Sequence, residues 1–117
     1  MRLPVAVEDL GYGALWFPEG PFTKESFAHA ATLLGVTERL LVATGVANLW
    51  MREPAAMAAG AATLNDAYNN RFLRGIGASH APFIEQLGRR PTGPVTTMRS
   101  YLDRMDEAHW AQRSRTL

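Results

Sequence analysis

The chain has 117 residues, of which 47% are hydrophobic and 20% charged, and its formal net charge is +1. This composition predicts one soluble globular domain and not a disordered segment. The near-neutral charge gives no continuous basic surface, so we expect no nucleic-acid partner. No apolar run reaches the roughly 20 residues that a bilayer requires, so we expect no membrane span. The absence of cysteine excludes disulfides and agrees with a cytoplasmic protein.

Three stretches share one pattern, in which a short apolar run is followed by turn residues and a helix signal. They lie at residues 13–19, 40–50 and 71–77. A spacing of about thirty residues is typical of βα units. We therefore predict an α/β fold with about three parallel strands, and we assign residues 1–108 to one domain. The tail, residues 109–117, loses the apolar periodicity, and we expect it to fray.

The first half begins with the end of a helix over residues 4–10, followed by a strand core at 15–17. Proline and glycine residues come next and cannot continue a strand, so we expect the strand to stop at Glu19. Thr23 is the predicted N-cap of a helix that runs to about Leu34.

The second half begins with a buried strand that starts at Leu40 and ends in a small-residue turn. Pro54 then opens a helix, since proline suits the first helical position. Residues 71–76 form the third predicted strand. The last predicted helix begins after Pro94.

With these motifs in place, the chain resembles the luciferase-like monooxygenases, in the branch of oxidoreductases that use the deazaflavin coenzyme F420. The resemblance lies in the order and spacing of LGYGALWFPE at residues 10–19, TGVAN at 44–48 and GIGASH at 75–80. It covers about residues 5–108. The family fold is a (β/α)8 barrel of about 250 residues, so the resemblance implies a partial TIM barrel that carries the second to fourth strands.

The resemblance implies an oxidoreductase that uses F420, or alternatively FMN, for hydride transfer to or monooxygenation of a small organic substrate. In that case the protein positions the ring and the cofactor carries the redox chemistry. The alternative from another class is a truncated, non-catalytic α/β module that self-associates through its uncovered sheet face. We also expect a homo-oligomer.

Two catalytic side chains follow from the resemblance. Glu19 lies where the family usually has an acidic residue near the deazaflavin ring; the alternative is a solvated loop glutamate. His80 lies where related enzymes often place a glutamate that faces the substrate, which implies proton transfer or oxyanion contact; the alternative is a capping histidine. Gly20 stands where the alcohol-oxidising members have a histidine base, which argues against the same alcohol dehydrogenation.

The resemblance also implies a cofactor site and a cis peptide bond between Gly45 and Val46 against the back of the ring; the alternative is an ordinary turn. Glycine at position 77 lets a ligand approach the backbone, and the hydroxyl of Ser79 can donate or accept a hydrogen bond. The expected cofactor-binding residues are Gly45, Val46, Ala47, Asn48, Gly77 and Ser79.

Other chemistries have weaker support in the residues. Segment 75–80 lacks the third glycine of a dinucleotide-binding fingerprint. The three histidines lack metal-ligand spacing, and Ser79 beside His80 cannot form a triad, so we predict no metal and no covalent nucleophile. Arg74 is charged in a strand that should be apolar on both faces, and we hypothesise that it reaches Glu19 inside the barrel.

Overall fold

The computed structural model describes residues 3–20 and 22–115. Its helices are α1 (Leu3–Asp9), α2 (Ser26–Gly35), α3 (Pro54–Ala67), α4 (Ala81–Gln86) and α5 (Pro94–Arg115). Its strands are β1 (Ala14–Phe17), β2 (Leu41–Thr44), β3 (Ala47–Asn48), β4 (Phe72–Leu73) and β5 (Ile76–Gly77). A single 3-10 turn at Leu49–Met51 follows β3 within the described residues.

The strands pair in parallel, in the order β1-β2-β4 for one sheet and β3-β5 for the other. β3 continues the direction of β2 after a two-residue break, and β5 continues β4 in the same way. The carboxyl ends of the strands therefore face one edge. This arrangement confirms the predicted α/β fold with parallel strands.

The third strand is interrupted, where the sequence predicts one continuous strand over residues 71–76, and the short strand β3 follows the predicted small-residue turn after β2. The break in the third falls at residues 74–75, opposite the end of β2 at Thr44. The hydroxyl of Thr44 donates to the carbonyl oxygen of Gly75 at 2.8 Å and accepts from the N–H of Gly75 at 2.9 Å. A side chain thus replaces the backbone partner at the break, which no periodicity of apolar residues could indicate.

The boundaries of α2 and α3 follow the sequence signals in two cases and depart from them in one. α3 begins at Pro54 and α2 ends at Gly35, as predicted. The predicted N-cap at Thr23 is wrong, because the carboxylate of Glu25 caps α2 by accepting from the backbone N–H groups of residues 27 and 28. The hydroxyl of Thr23 instead accepts from the N–H of Gly20 at 2.7 Å.

The carboxyl-terminal third contains two helices. α4 is short and was not among the predicted elements, whereas α5 begins at Pro94 as expected. α5 continues to Arg115, past the end of the predicted domain at Ala108, because residues 109–115 contain neither glycine nor proline. Fraying of the tail stays a prediction, and residues 116 and 117 lie outside the described part.

The helices cover one face of the three-stranded sheet. Val42 and Phe72 point into a buried cluster against α2 and α3. On the other face Trp16, Ala43 and Leu73 lie side by side in register, and Trp16 and Leu73 remain 58% and 52% exposed. A second buried cluster lies against α5. No helix in the described ranges is both long and apolar enough to cross a membrane.

Candidate functional site

The carboxyl ends of the strands bring three parts of the chain together. Glu19 follows β1, Asn48 ends β3 and Ala78 follows β5. The backbone N–H of Asn48 donates to Oε1 of Glu19 at 2.9 Å. Trp50, two residues further on, donates from its indole nitrogen to the carbonyl oxygen of Ala78 at 3.0 Å. The three strand ends therefore form one continuous site, as parallel strands require.

The carboxylate of Glu19 is fully buried and accepts four hydrogen bonds. The backbone N–H groups of Ser26 and Asn48 donate to Oε2 and Oε1 at 2.8 and 2.9 Å. The two terminal nitrogens of Arg52 donate to Oε1 and Oε2 at 2.8 and 2.6 Å. Because a carboxylate has about four acceptor positions, Glu19 has none left for a ligand.

The electrostatics of the ion pair between Glu19 and Arg52 keep both side chains charged. Burial alone raises the pKa of Glu19, but the hydrogen bonds from Arg52, Asn48 and Ser26 outweigh it and hold the pKa below its ordinary value. Burial likewise lowers the pKa of Arg52, yet the carboxylate of Glu19 raises it overall. A general acid at neutral pH needs a raised carboxyl pKa, which is the opposite of what Glu19 has.

Arg52 is the centre of this network, and its side chain is 8% exposed. Besides Glu19, its guanidinium donates to Glu25 at 2.8 Å and to the carbonyl oxygen of Asn48 at 3.1 Å. It lies 5.1 Å from the ring centroid of Phe27, within cation–π range. The hydroxyl of Tyr101 donates to the backbone carbonyl of Arg52 at 2.7 Å, which ties α5 to the site.

The predicted contact between Arg74 and Glu19 is wrong, because Arg52 occupies that position. Arg74 is exposed and lines a surface groove beside Asp106. A sequence signal for Arg52 does exist. It stands between the end of the second strand and Pro54, and therefore at the same edge as Glu19, whereas Arg74 precedes the end of its own strand.

The peptide bond between Gly45 and Val46 is cis, as the resemblance implies. The side chain of Val46 is 43% exposed and packs against Gly77. A Cβ at position 77 would come within 2.3 Å of Cγ2 of Val46, and one at Gly75 would come within 2.3 Å of the carbonyl oxygen of Thr44. Close packing within the protein therefore accounts for both glycines.

Ala47 and Asn48 point into the protein and not towards the open edge. They are 0% and 4% exposed. The N–H of Ala47 donates to the carbonyl oxygen of Gly75 at 2.7 Å, and Oδ1 of Asn48 accepts from the N–H of Trp50 at 2.8 Å. Both backbone polar groups of Asn48 are also used, by Glu19 and Arg52. Ala47 and Asn48 therefore have a structural role, and their predicted role in cofactor binding stays a prediction.

Ser79 and His80 are exposed at the same edge. Ser79 has a φ of 62°, in the left-handed region that non-glycine residues rarely adopt. His80 directly precedes α4, but its side chain makes no capping hydrogen bond. Its backbone carbonyl accepts from the N–H of Ile84 at 3.1 Å. The centroid of the imidazole lies 6.4 Å from that of the Phe83 ring, and the missing capping bond weakens the alternative of a capping histidine.

Two grooves lie near this edge. The larger, of about 540 Å³, lies between the 3-10 turn and α5, and Trp50 and Arg52 line part of it. The smaller, of about 480 Å³, is mainly apolar and adjoins the turn after β5. Polar side chains that can contact a ligand also line the larger groove, among them Arg89, Thr96 and Ser100. The smaller groove is lined by Ala78, Pro94, Val95, Met98, Arg99, Leu102 and Asp103.

Comparison with known proteins agrees with this architecture. Residues 1–114 match the sequence profile of the luciferase-like monooxygenase family. Rv3520c of Mycobacterium tuberculosis, which is named as a coenzyme F420-dependent oxidoreductase, is 29% identical over 114 residues. Those residues make up 97% of this chain and 32% of that relative.

Two solved structures share the fold. The coenzyme F420-dependent tetrahydromethanopterin reductase from Methanopyrus kandleri superposes with a TM-score of 0.74 at 18% identity, over 89% of this chain and 34% of that one. An F420-dependent secondary alcohol dehydrogenase in complex with an F420-acetone adduct gives 0.71 at 23% identity, over 96% and 36%. These likenesses confirm the predicted partial TIM barrel. The chain spans about a third of the length of the relatives it matches.

Proposed function

Because the chain belongs to the luciferase-like monooxygenase family, we propose that it forms part of the cofactor mouth of an F420-using oxidoreductase. The relative and the two structural neighbours are all named as F420-dependent, which favours the deazaflavin over FMN. The observation that carries the proposal is the open edge of the sheet. There the parallel strand ends converge and leave Val46, Ser79 and His80 exposed together.

The residues at this edge fit a flat heteroaromatic ring. Val46 offers an exposed apolar surface, and the ring of Trp16 lies beside Gly45, where a Cβ would be 3.3 Å from the nearest indole carbon. Ser79 and His80 add a hydroxyl and an imidazole at the rim. An apolar platform with a few convergent polar groups is typical of cofactor sites. A bound deazaflavin supplies hydride transfer.

Within this proposal each polar residue has a different role. His80 holds or moves a proton at the substrate, because its imidazole is exposed and makes no capping bond. Ser79 would help to hold a bound ring through its exposed hydroxyl, which can donate or accept a hydrogen bond. Glu19, whose acceptors are all occupied, acts as a positioning residue that fixes the end of β3, and its predicted direct catalytic role loses support.

The reaction class we propose is hydride transfer to or from a small organic substrate. Alcohol oxidation through a histidine next to Glu19 has no support, because that position is Gly20. The N–H of Gly20 donates to the hydroxyl of Thr23 within its own loop. A base for the reaction must therefore come from elsewhere at the mouth, and His80 is our candidate.

A titration of the purified chain with F420, followed by deazaflavin fluorescence and repeated with FMN, tests the proposal. We expect saturable binding of F420, weaker binding of FMN, and an F420 Kd at least fivefold higher for Ser79→Ala. Arg39→Ala, at the opposite edge of the sheet, serves as the control and should leave the Kd unchanged. A folded chain that binds neither cofactor would contradict the proposal.

The open sheet face favours a second candidate, a self-associating module. Trp16 and Leu73 flank Ala43 in register and are exposed by 58% and 52%, so they form an apolar row that a second copy could cover. Light scattering tests this. A dimer that Leu73→Lys converts to a monomer, while Leu102→Lys on α5 does not, would support it, and a monomeric wild type would exclude it.

A further inference from the structure

We propose that Trp50 is a positioning residue, which holds the turn formed by Ala78, Ser79 and His80 in place through its indole N–H. The purpose of this hold rests on the proposed function, whereas the contact itself belongs to the structure. Nε1 of Trp50 donates to the carbonyl oxygen of Ala78 at 3.0 Å. This carbonyl immediately precedes Ser79, so the bond acts on the peptide unit that sets the direction of the turn.

The turn has few other contacts. Ala78 packs against the second buried cluster at its start, and the carbonyl oxygen of His80 accepts from the N–H of Ile84 at its end. Between them Ser79 has a φ of 62°, a conformation that persists in a non-glycine residue when the surroundings impose it. The side chains of Ser79 and His80 are exposed, so packing of these two side chains contributes little. In the described part of the chain, the indole of Trp50 makes the one side-chain hydrogen bond that residues 77–80 receive.

Trp50 is itself well anchored, which a positioning residue requires. Its backbone N–H donates to Oδ1 of Asn48 at 2.8 Å, and the N–H of Asn48 donates to the buried carboxylate of Glu19. Its ring packs against the buried cluster that contains Met57 and Tyr101. A continuous series of contacts therefore leads from the end of β1 to the turn after β5.

The consequence concerns the two side chains that we propose to face the cofactor and the substrate. Without the indole N–H, the turn samples other conformations, and Ser79 and His80 spend less time where a ligand needs them. A ligand that binds one conformation then shows an affinity reduced by the fraction in which that conformation is populated. Trp50 would thus control binding at the mouth without touching the ligand.

Backbone ¹⁵N relaxation measured by NMR, on the full chain without any ligand, tests this. We expect Trp50→Phe, which keeps an aromatic ring but removes the N–H, to lower the backbone order parameters of Ser79 and His80 from about 0.85, the value of rigid backbone, to below about 0.6. Tyr101→Phe is the matched control, because it removes an O–H donor to a backbone carbonyl in the same cluster. It should leave both order parameters unchanged.

An equal loss of order at the turn in the two variants, or none in Trp50→Phe, would overturn the proposal. If Trp50→Phe does not fold, 3-benzothienylalanine at position 50 replaces the N–H by sulfur and keeps the two-ring shape, and the same loss of order is expected. F420 titration then separates the two proposals. A loss of order in Trp50→Phe when the wild type binds no F420 would keep the positioning role and reject the proposed function.

Discussion

The carboxyl edge of the sheet has two halves that look alike in sequence and differ in structure. The half around Glu19, Asn48 and Arg52 is buried, and its carboxylate and guanidinium are paired with each other and with the backbone of Asn48. The half around Val46, Ser79 and His80 is exposed, and Trp50 makes one side-chain hydrogen bond to its turn. The first half serves the fold, and the second half is available to a ligand.

This difference shows why residue type alone misplaces function. A glutamate at a barrel mouth has the chemistry of a catalytic acid or base, and so does a histidine. What separates Glu19 from His80 is the number of acceptors and donors that the protein has already used. The predictions below test that separation.

The largest effect should come from Arg52→Met, which leaves Glu19 buried without its charged partner. Breaking a buried pair in this way costs about 3–5 kcal/mol, a large part of the stability of a domain of this size. Chemical denaturation measures it. Arg39→Met is the control, since Arg39 and its partner Glu38 are 73% and 85% exposed, and it should cost less than about 1 kcal/mol. Similar losses of unfolding free energy in both variants would contradict the expected difference between the buried and the exposed ion pair.

Alanine at the two glycines of the third strand should destabilise the chain to different extents. Gly75→Ala brings a Cβ against the carbonyl oxygen of Thr44, and we expect it to cost about 3 kcal/mol or more because backbone must move. Gly77→Ala meets a methyl of Val46 and should cost about 1–2 kcal/mol. Adding Val46→Ala should restore stability at position 77 but not at position 75. Rescue at both, measured by thermal unfolding, would contradict the packing described.

The free energy of unfolding should depend on pH through the ionisation of Glu19 in the buried half. The pKa of Glu19 is lower in the folded chain than its ordinary value of 4.5, so its contribution is complete above that pH and is lost as the pH falls through the folded pKa. Glu8, whose pKa three backbone N–H groups also lower, acts in the same direction. Glu19→Gln should therefore flatten the acid limb of the stability curve without abolishing it. An unchanged acid limb would show that the pair contributes nothing.

The smallest effect on stability should come from Ser79→Gly in the exposed half. Glycine adopts a φ of 62° without a steric penalty, so the free energy of unfolding should change by less than about 0.5 kcal/mol or increase slightly. Binding of F420 should nevertheless weaken, because the hydroxyl is gone. A clear loss of stability with unchanged F420 binding would show that Ser79 serves the fold and not the ligand.

The sequence predicts much of this architecture, because strands and helices follow from apolar runs and from residues such as Pro54 that mark boundaries. The parallel βα pattern also places Glu19, Val46 and His80 at one edge. The sequence cannot reveal the break in the third strand, where the side chain of Thr44 hydrogen-bonds to the backbone of Gly75. Nor does it show that Arg52, rather than Arg74, neutralises Glu19, since burial and pairing are properties of the folded chain.

The most direct test is a map of backbone amide chemical shifts during titration of the ¹⁵N-labelled chain with F420. The account predicts saturable shifts concentrated at residues 45–47 and 78–80, with little change at Ser26, whose N–H is held by the carboxylate of Glu19. Shifts concentrated in the groove between the 3-10 turn and α5, or no shifts in a folded chain, would contradict it.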